Sequence, residues 1–164
     1  MSSWEQLAQS APGFGSELAA RFGARTHKTL ATIRADGSPR ISGIETFVVE
    51  GELWFGSMPD ARKARDLRRD PRMALHCASD DPSADDPRAW AGDAKLNGLA
   101  EEILDPDRRL AIFRANGSDP PSADSHLFRV EIAAAALIQL NSAGDRLVIE
   151  LWRPGHAVTR TERE

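Results

Sequence analysis

The stretch from residue 53 to residue 77, LWFGSMPDARKARDLRRDPRMALHC, decides how this chain is read. It opens on an apolar strand pattern, turns through Met58-Pro59-Asp60, carries a run of bases and ends on a second alternating strand. Asp60 is placed to cap a helix, with Arg62 and Lys63 in its first turn. A first turn exposes backbone N–H groups and the positive end of the helix dipole, so it favours anions. Two adjacent cations there oppose the dipole by a few tenths of a kcal/mol, roughly, unless an anion lies between them. Over residues 60–72 six bases (Arg62, Lys63, Arg65, Arg68, Arg69, Arg72) stand against three acids (Asp60, Asp66, Asp70). Two readings follow: a phosphate grip at a helix start, or a solvated face laced by i,i+4 pairs.

Upstream, residues 28–34 and 40–49 flank Ala35-Asp36-Gly37-Ser38-Pro39, a hairpin signature in which Asp-Gly supplies positive φ. A second turn at Glu50-Gly51 leads into residues 52–57, which makes a three-stranded meander. Residues 4–9 and 16–22 read as two short helices separated by Pro12-Gly13. Downstream, 72–78 is a strand, 79–92 a loop rich in Pro and Asp, and 93–104 a strand. Asp105-Pro106 opens a helix that Asn116-Gly117 ends. After a loop at 118–124, the segment 125–140 alternates Phe128, Val130 and Ile132 with Arg129 and Glu131 and reads as a strand, and 146–152 closes the sheet. The sum is a mainly β chain of six or seven antiparallel strands with inserted helices, expected to form a barrel. A Rossmann fold is disfavoured, because no G-x-G-x-x-G follows the first strand and strands do not alternate with helices.

With 164 residues and 41% apolar content, one core and one domain are expected: helices over 1–24, barrel over 25–153 and a tail over 154–164. A net charge of −4 argues against nucleic acid or an anionic membrane as the main partner, so the basic segment suits a small anion. The single cysteine, Cys77, excludes an internal disulfide and reads as a small core residue in a reducing compartment. The first residues lack the basic and apolar regions of a signal peptide, and the expected location is cytoplasmic. His27, His126 and His156 have no metal-ligand spacing, so no metal is assigned. No Ser-His-Asp order, paired carboxylates or P-loop points to hydrolysis or phosphoryl transfer.

Taken in order, LATIRADGSPRISGI, ELWFGS, ARKARDLRRDPRMALH and KLNGLAEEI resemble successive blocks of the pyridoxamine 5′-phosphate oxidase-like, FMN-binding split β-barrel family. The resemblance spans roughly residues 27–152 and is most specific at Ala61-Arg62-Lys63, where the family often has Ser-Arg-Lys. It implies a split barrel of Greek-key type and a homodimer with flavin at the subunit interface. It further implies cofactor contacts from Arg40, Ser42, Gly43 and Ile44 on one strand, from Ser57 and Met58, and from Arg62 and Lys63 at the helix start. His76, Trp90 and Lys95 are the remaining candidates for contact with the ring or with substrate. His76 also reads as a sheet histidine, Trp90 as loop packing, and Glu45 as an acid either at the barrel rim or near the ring. Trp54 and Trp152 read as core or interface residues.

The chain departs from the family where Ala61 replaces a hydroxyl and where Asp93 and Lys95 stand in place of Gln and Arg. The histidine of the oxidase's C-terminal substrate motif has no counterpart, so oxidation of pyridoxamine phosphate is not expected. What the resemblance implies is an FMN- or deazaflavin-dependent oxidoreductase moving a hydride to or from a small organic substrate. A deazaflavin tail carries carboxylates that Arg65, Arg68, Arg69 and Arg72 would receive, or else those arginines are a solvated face. The alternative is a carrier or sensor that holds flavin or haem on the same barrel without turnover.

Overall fold

The structure, a computed structural model, describes residues 1–80, 84–120 and 122–164. Residues 81–83 of the loop expected at 79–92, and Pro121 of the loop at 118–124, lie outside the described residues. The chain runs α1 (Trp4–Ser10), α2 (Pro12–Ala24), β1 (His27–Ile33), β2 (Pro39–Val49), β3 (Glu52–Ser57), α3 (Arg62–Arg69) and β4 (Arg72–Cys77). A short 3-10 turn at Pro87–Ala89 precedes β5 (Asp93–Glu102), α4 (Pro106–Ala115), β6 (His126–Leu140), β7 (Leu147–Trp152) and β8 (Thr159–Arg163). No helix among the described residues is long and apolar enough to cross a membrane.

Local chemistry explains most boundaries. Ser3 and Gln6 form a reciprocal capping box on α1. Pro12, expected to break the helical region, instead occupies the first turn of α2, where its missing N–H leaves no bond unmade. Asp105 accepts from the backbone N–H groups of Asp107 at 2.9 Å and Arg108 at 3.3 Å, which sets the start of α4. Glu50 at φ 52° and Gly51 at φ 73° make the tight β2–β3 turn.

All eight strands form one antiparallel sheet in the order β3-β2-β1-β4-β5-β6-β7-β8, and a β3–β6 pairing closes the first six into a barrel. Two strands change partners along their length. β2 pairs with β1 over residues 39–45 and with β3 over Thr46–Val49. β6 pairs with β3 from His126 to Val130 and with β7 from Ala135 to Leu140. The barrel wall is therefore split at both places. A register shift at Asn97/Gly98 bends β5 over β6, and a side chain at Gly98 would run into the Glu131 carbonyl.

The barrel interior is filled by Leu30, Leu53, Phe55, Leu75, Phe128 and Val130, with Phe55 and Phe128 stacked at 5.1 Å. Trp4, Leu7, Phe14, Leu18 and Phe22 from the two N-terminal helices join the same cluster, so α1 and α2 seal the barrel. Cys77 is buried there as expected. Outside the wall, α4 packs Ile112 and Phe113 on Trp54 and Leu127.

Two expectations are corrected. The residues expected to be a tail include β8, which pairs along β7 from Leu147 to Leu151 and raises the strand count to eight. Asp60 does not cap α3: at φ 56° it belongs to the preceding turn, and Ala61 stands at the N-cap with no side-chain bond.

Candidate functional site

The start of α3 leaves its first-turn groups unmatched. Its N-cap, Ala61, has no side-chain acceptor, and the first turn holds no acid. Arg62 is exposed and has no ionic or hydrogen-bonding partner among the described residues. Lys63 is half-buried, and burial pushes its ammonium below the ordinary lysine value. Its Nζ donates at 3.3 Å to the carbonyl of Gly43. At the end of β3, where the chain turns toward α3, the Ser57 hydroxyl is buried with no partner among the described residues. A dipole end and two cations without an acid beside them are what a phosphate dianion requires, so the start of α3 fits the phosphate of a flavin cofactor.

The Gly43 carbonyl belongs to a longer feature. Because β3 pairs with β2 only over Thr46–Val49, the edge of β2 from residue 39 to residue 45 has no strand partner on that side among the described residues. On this edge the Gly43 carbonyl accepts from Lys63 in the first turn of α3. An unpaired strand edge offers alternating donors and acceptors, the complement of the polar edge of a tricyclic flavin ring.

Beyond that edge the outer face of the sheet forms an open groove of about 600 Å³. Its floor is small: Ala31, Ala74, Ala134 and Ala136 line it, with Ile41 and Leu151 at its sides. His76 and Lys95 also face it and are direct cross-strand neighbours. Asp93 takes a 3.0 Å hydrogen bond with His76 Nε2 and so fixes the imidazole.

The rest of α3 is tied into the fold. Asp66 is buried and accepts from Arg40 Nε at 2.6 Å, Thr32 Oγ1 at 3.0 Å and Arg69 at 3.3 Å. Burial alone would raise its carboxyl, but these three donors outweigh burial and hold it below the ordinary aspartate value. Arg68 forks onto Glu102 at 2.6 and 2.7 Å, and Glu102 also pairs with the buried His126 at 2.7 Å. Arg72 is bound by Asp70.

The sequence-derived candidates therefore separate. Gly43, Arg62 and Lys63 meet at the start of α3, Ser57 lies in register with His126 at the end of β3, and His76 and Lys95 share the groove. Arg40 reaches Asp66 instead of solvent, and the Ile44 side chain is buried in the barrel, leaving its backbone at the edge. Ser42 is half-buried on the same side of β2 as Ile44. Met58 is exposed beside the turn, and Trp90 is half-buried in its loop and does not line the groove. Glu45 is exposed at the rim, 3.5 Å from His27. Sequence reading missed Asp66, the Asp93–His76 pair and Arg153, which lines the groove beyond β7. Asp66 had one sequence signal, since it neighbours the buried Leu67 on a helix otherwise crowded with bases.

Comparison with known proteins agrees with this architecture. Residues 15–139 match the family model described as pyridoxamine 5′-phosphate oxidase. A search against curated proteins found no match. Among solved structures, a pyridoxamine 5′-phosphate oxidase-related, FMN-binding protein from Nostoc punctiforme superposes with a TM-score of 0.66 at 13% identity, over 93% of this chain and 95% of that one. An F420 reductase gives a TM-score of 0.53 at 22% identity, over 71% and 94%. HutZ, the heme storage protein of Vibrio cholerae, gives 0.53 at 20% identity, over 71% and 88%. At these identities the likeness to solved structures is one of fold, whereas the family model covers most of the chain. From residues 15–139 and from a six-stranded barrel split beside a basic helix start, this chain belongs to the pyridoxamine 5′-phosphate oxidase family.

Proposed function

We propose that the chain binds FMN, with the phosphate at Arg62, Lys63 and Ser57 and the ring along the free edge of β2, and works as a flavin-dependent oxidoreductase. The observation that carries this reading is the Lys63–Gly43 contact, which brings free cations and a free strand edge to one place. The bound ring would supply hydride exchange with a small organic substrate. The chain's own residues hold the phosphate, orient the ring through β2 backbone groups and present the alanine-floored groove beside it. FMN is preferred over a deazaflavin because, of the four arginines that could take the carboxylates of a deazaflavin tail, Arg68, Arg69 and Arg72 are engaged by Glu102, Asp66 and Asp70, and only Arg65, 3.9 Å from the exposed Asp60, is left loosely held. Relatives of this fold include an FMN-binding protein and an F420 reductase, and HutZ keeps the carrier reading in view.

The working unit in this reading is a homodimer that covers the groove. Ile41, 76% exposed on the outer face beside alanines, is the kind of apolar surface a second copy buries. Sedimentation is expected to give a species heavier than the 17.9 kDa chain, and Ile41→Glu is expected to return it to monomer. Absorbance of the purified protein and titration with FMN test the cofactor. A flavin spectrum, with binding lost in the Arg62→Ala, Lys63→Ala double variant, supports the reading. A haem spectrum, or tight flavin binding with no acceptor able to reoxidise the reduced protein faster than free cofactor, would replace it by a carrier.

A further inference from the structure

Two of the buried side-chain polar atoms left without a partner among the described residues belong to one cross-strand pair. Ser57 Oγ and His126 Nε2 are both unpaired, and Ser57 stands directly opposite His126 where β3 closes onto β6. The two residues are 8% and 7% exposed. Leu53 opposite Val130 and Phe55 opposite Phe128 fill the barrel interior, and alternation along each strand puts the Ser57–His126 pair on that same inner side, at its end. From α3, Ala64 and Leu67 join the same core cluster and Arg68 lies beside His126, so α3 covers this end of the barrel.

The other ring nitrogen is engaged. His126 Nδ1 lies 2.7 Å from Glu102, whose carboxylate also takes the Arg68 fork. Burial alone would raise the Glu102 carboxyl, but Arg68 and His126 hold it below the ordinary glutamate value. An ionised carboxylate at that distance requires the proton on Nδ1, which leaves Nε2 as a bare lone pair in the neutral ring. The charged groups in contact with the ring are Glu102 from β5 and Arg68 from α3. β3 offers it the Ser57 hydroxyl, and Phe128 on β6 itself is uncharged.

Ser57 also stands next to the proposed phosphate site. Only residues 58–61 separate it from α3, and the Ala61 N–H closes onto the Met58 carbonyl at 3.3 Å, which makes that link a tight turn. A hydroxyl has one proton to donate. Given to a phosphate oxygen, that proton leaves the Ser57 oxygen as an acceptor facing Nε2, and two lone pairs opposed in a buried site repel. A proton on Nε2 turns the repulsion into a charge-assisted hydrogen bond.

We infer that His126 is a proton-linked positioning residue for the cofactor phosphate: when FMN binds, the Ser57 hydroxyl donates to a phosphate oxygen, and His126 takes one proton from solvent at Nε2 and donates it to the Ser57 oxygen. This rests on the FMN reading above. The charged ring then stands between two anions, the Glu102 carboxylate and the phosphate, while Arg68 stays forked onto Glu102.

Calorimetry of FMN binding to the full chain, run at about pH 8 in buffers of different ionisation heat, counts the protons. A phosphate monoester with a second pKa of about 6 is already a dianion there and contributes none. Wild type is expected to take up close to one proton per FMN, with affinity falling about tenfold per pH unit across that range, and riboflavin, which lacks the phosphate, is expected to bring no uptake. His126→Asn keeps a donor for Glu102 but has no second nitrogen; it is expected to bind FMN about fivefold or more weakly and to lose the uptake. Lys63, whose ammonium burial lowers, is the other group able to take a proton, so an uptake that persists in His126→Asn belongs to it and overturns the inference. Equal uptake with riboflavin overturns it too. Nitrogen NMR of the wild-type ring decides the matter even where the variant fails to fold: Nε2 is expected to move from its unprotonated to its protonated position on addition of FMN, and an unmoved signal overturns the inference. FMN binding without uptake removes the role of His126 and leaves the cofactor reading standing, whereas no FMN binding removes both.

Discussion

The two ends of α3 carry the same kinds of side chain and do opposite things. In its second half, Arg68 and Arg69 are matched to Glu102 and Asp66, and Asp66 in turn holds Arg40 and Thr32 from two strands. In its first turn, Arg62 and Lys63 have no acid beside them, and at the end of the preceding strand the Ser57 hydroxyl is buried without a partner among the described residues. A basic helix is thus not uniformly a ligand site or uniformly a solvated face. Cations already matched by carboxylates maintain the fold, and only those left over can recognise a ligand.

The sharpest way to break this contrast is to remove the anchor at the matched end. Asp66→Ala is expected to cost about 3–5 kcal/mol of stability in chemical denaturation, because Arg40 is left facing a site it can neither leave nor satisfy. The sign of the pH effect follows from the lowered Asp66 carboxyl. Its stabilisation is fully present above the unfolded aspartate value of about 4 and is lost as pH falls through the lower folded value. The stability gap between wild type and Asp66→Asn should therefore narrow as pH drops below about 4. A gap that stays constant into acid would show that Asp66 acts through packing alone.

Next in size is the unmatched end. Arg62→Ala and Lys63→Ala are each expected to weaken FMN binding by about 1.5–3 kcal/mol, the range for a charged hydrogen bond, while the unfolding midpoint hardly moves. Fluorescence titration beside a denaturation curve separates the two effects. If the midpoint fell as far as for Asp66→Ala, the first turn would be structural after all.

Ser57→Ala comes third. Loss of one neutral hydrogen bond should reduce FMN affinity by about 0.5–1.5 kcal/mol, and removing a buried hydroxyl that has no partner should leave the apo protein as stable or slightly more so. A loss of apo stability would mean that the hydroxyl is already satisfied. Smallest of all is Arg65→Ala. Its contact with Asp60 spans 3.9 Å between exposed groups, and the change should stay within about 0.5 kcal/mol in both stability and FMN binding. A larger loss of affinity for a deazaflavin than for FMN would reopen the choice of cofactor.

Much of the barrel was legible because its signals are local. The β1–β2 and β2–β3 turns are written in Asp36-Gly37 and Glu50-Gly51, and the start of α4 in Asp105-Pro106. Strand β8 was missed because Thr159–Arg163 is exposed on every residue and so lacks the alternation that marks a half-buried strand; only backbone pairing to β7 orders it. Asp60 misled for a related reason. It has the right chemistry for a cap, but a left-handed backbone at φ 56° places it one residue early, in the turn that the Ala61 N–H closes onto Met58. The candidate site was legible at Arg62 and Lys63, two cations where a helix dipole disfavours them. It was not legible at Trp90, whose loop keeps it away from the groove, nor at Asp93, whose role depends on a histidine on the neighbouring strand.

By itself, the sequence determined the strand periodicities, the turns, the helix start rich in cations and the family, because each rests on residues close together along the chain. Only the tertiary structure decided which arginines of α3 are free, where β2 loses its partner strand, and that His76 and Lys95 stand side by side on an alanine floor. Those outcomes depend on pairings between residues tens of positions apart, such as Thr32 with Asp66 and Arg68 with Glu102. No local pattern encodes them, since an arginine on a helix has the same propensity whether a distant strand brings it a carboxylate or leaves it to bind a ligand.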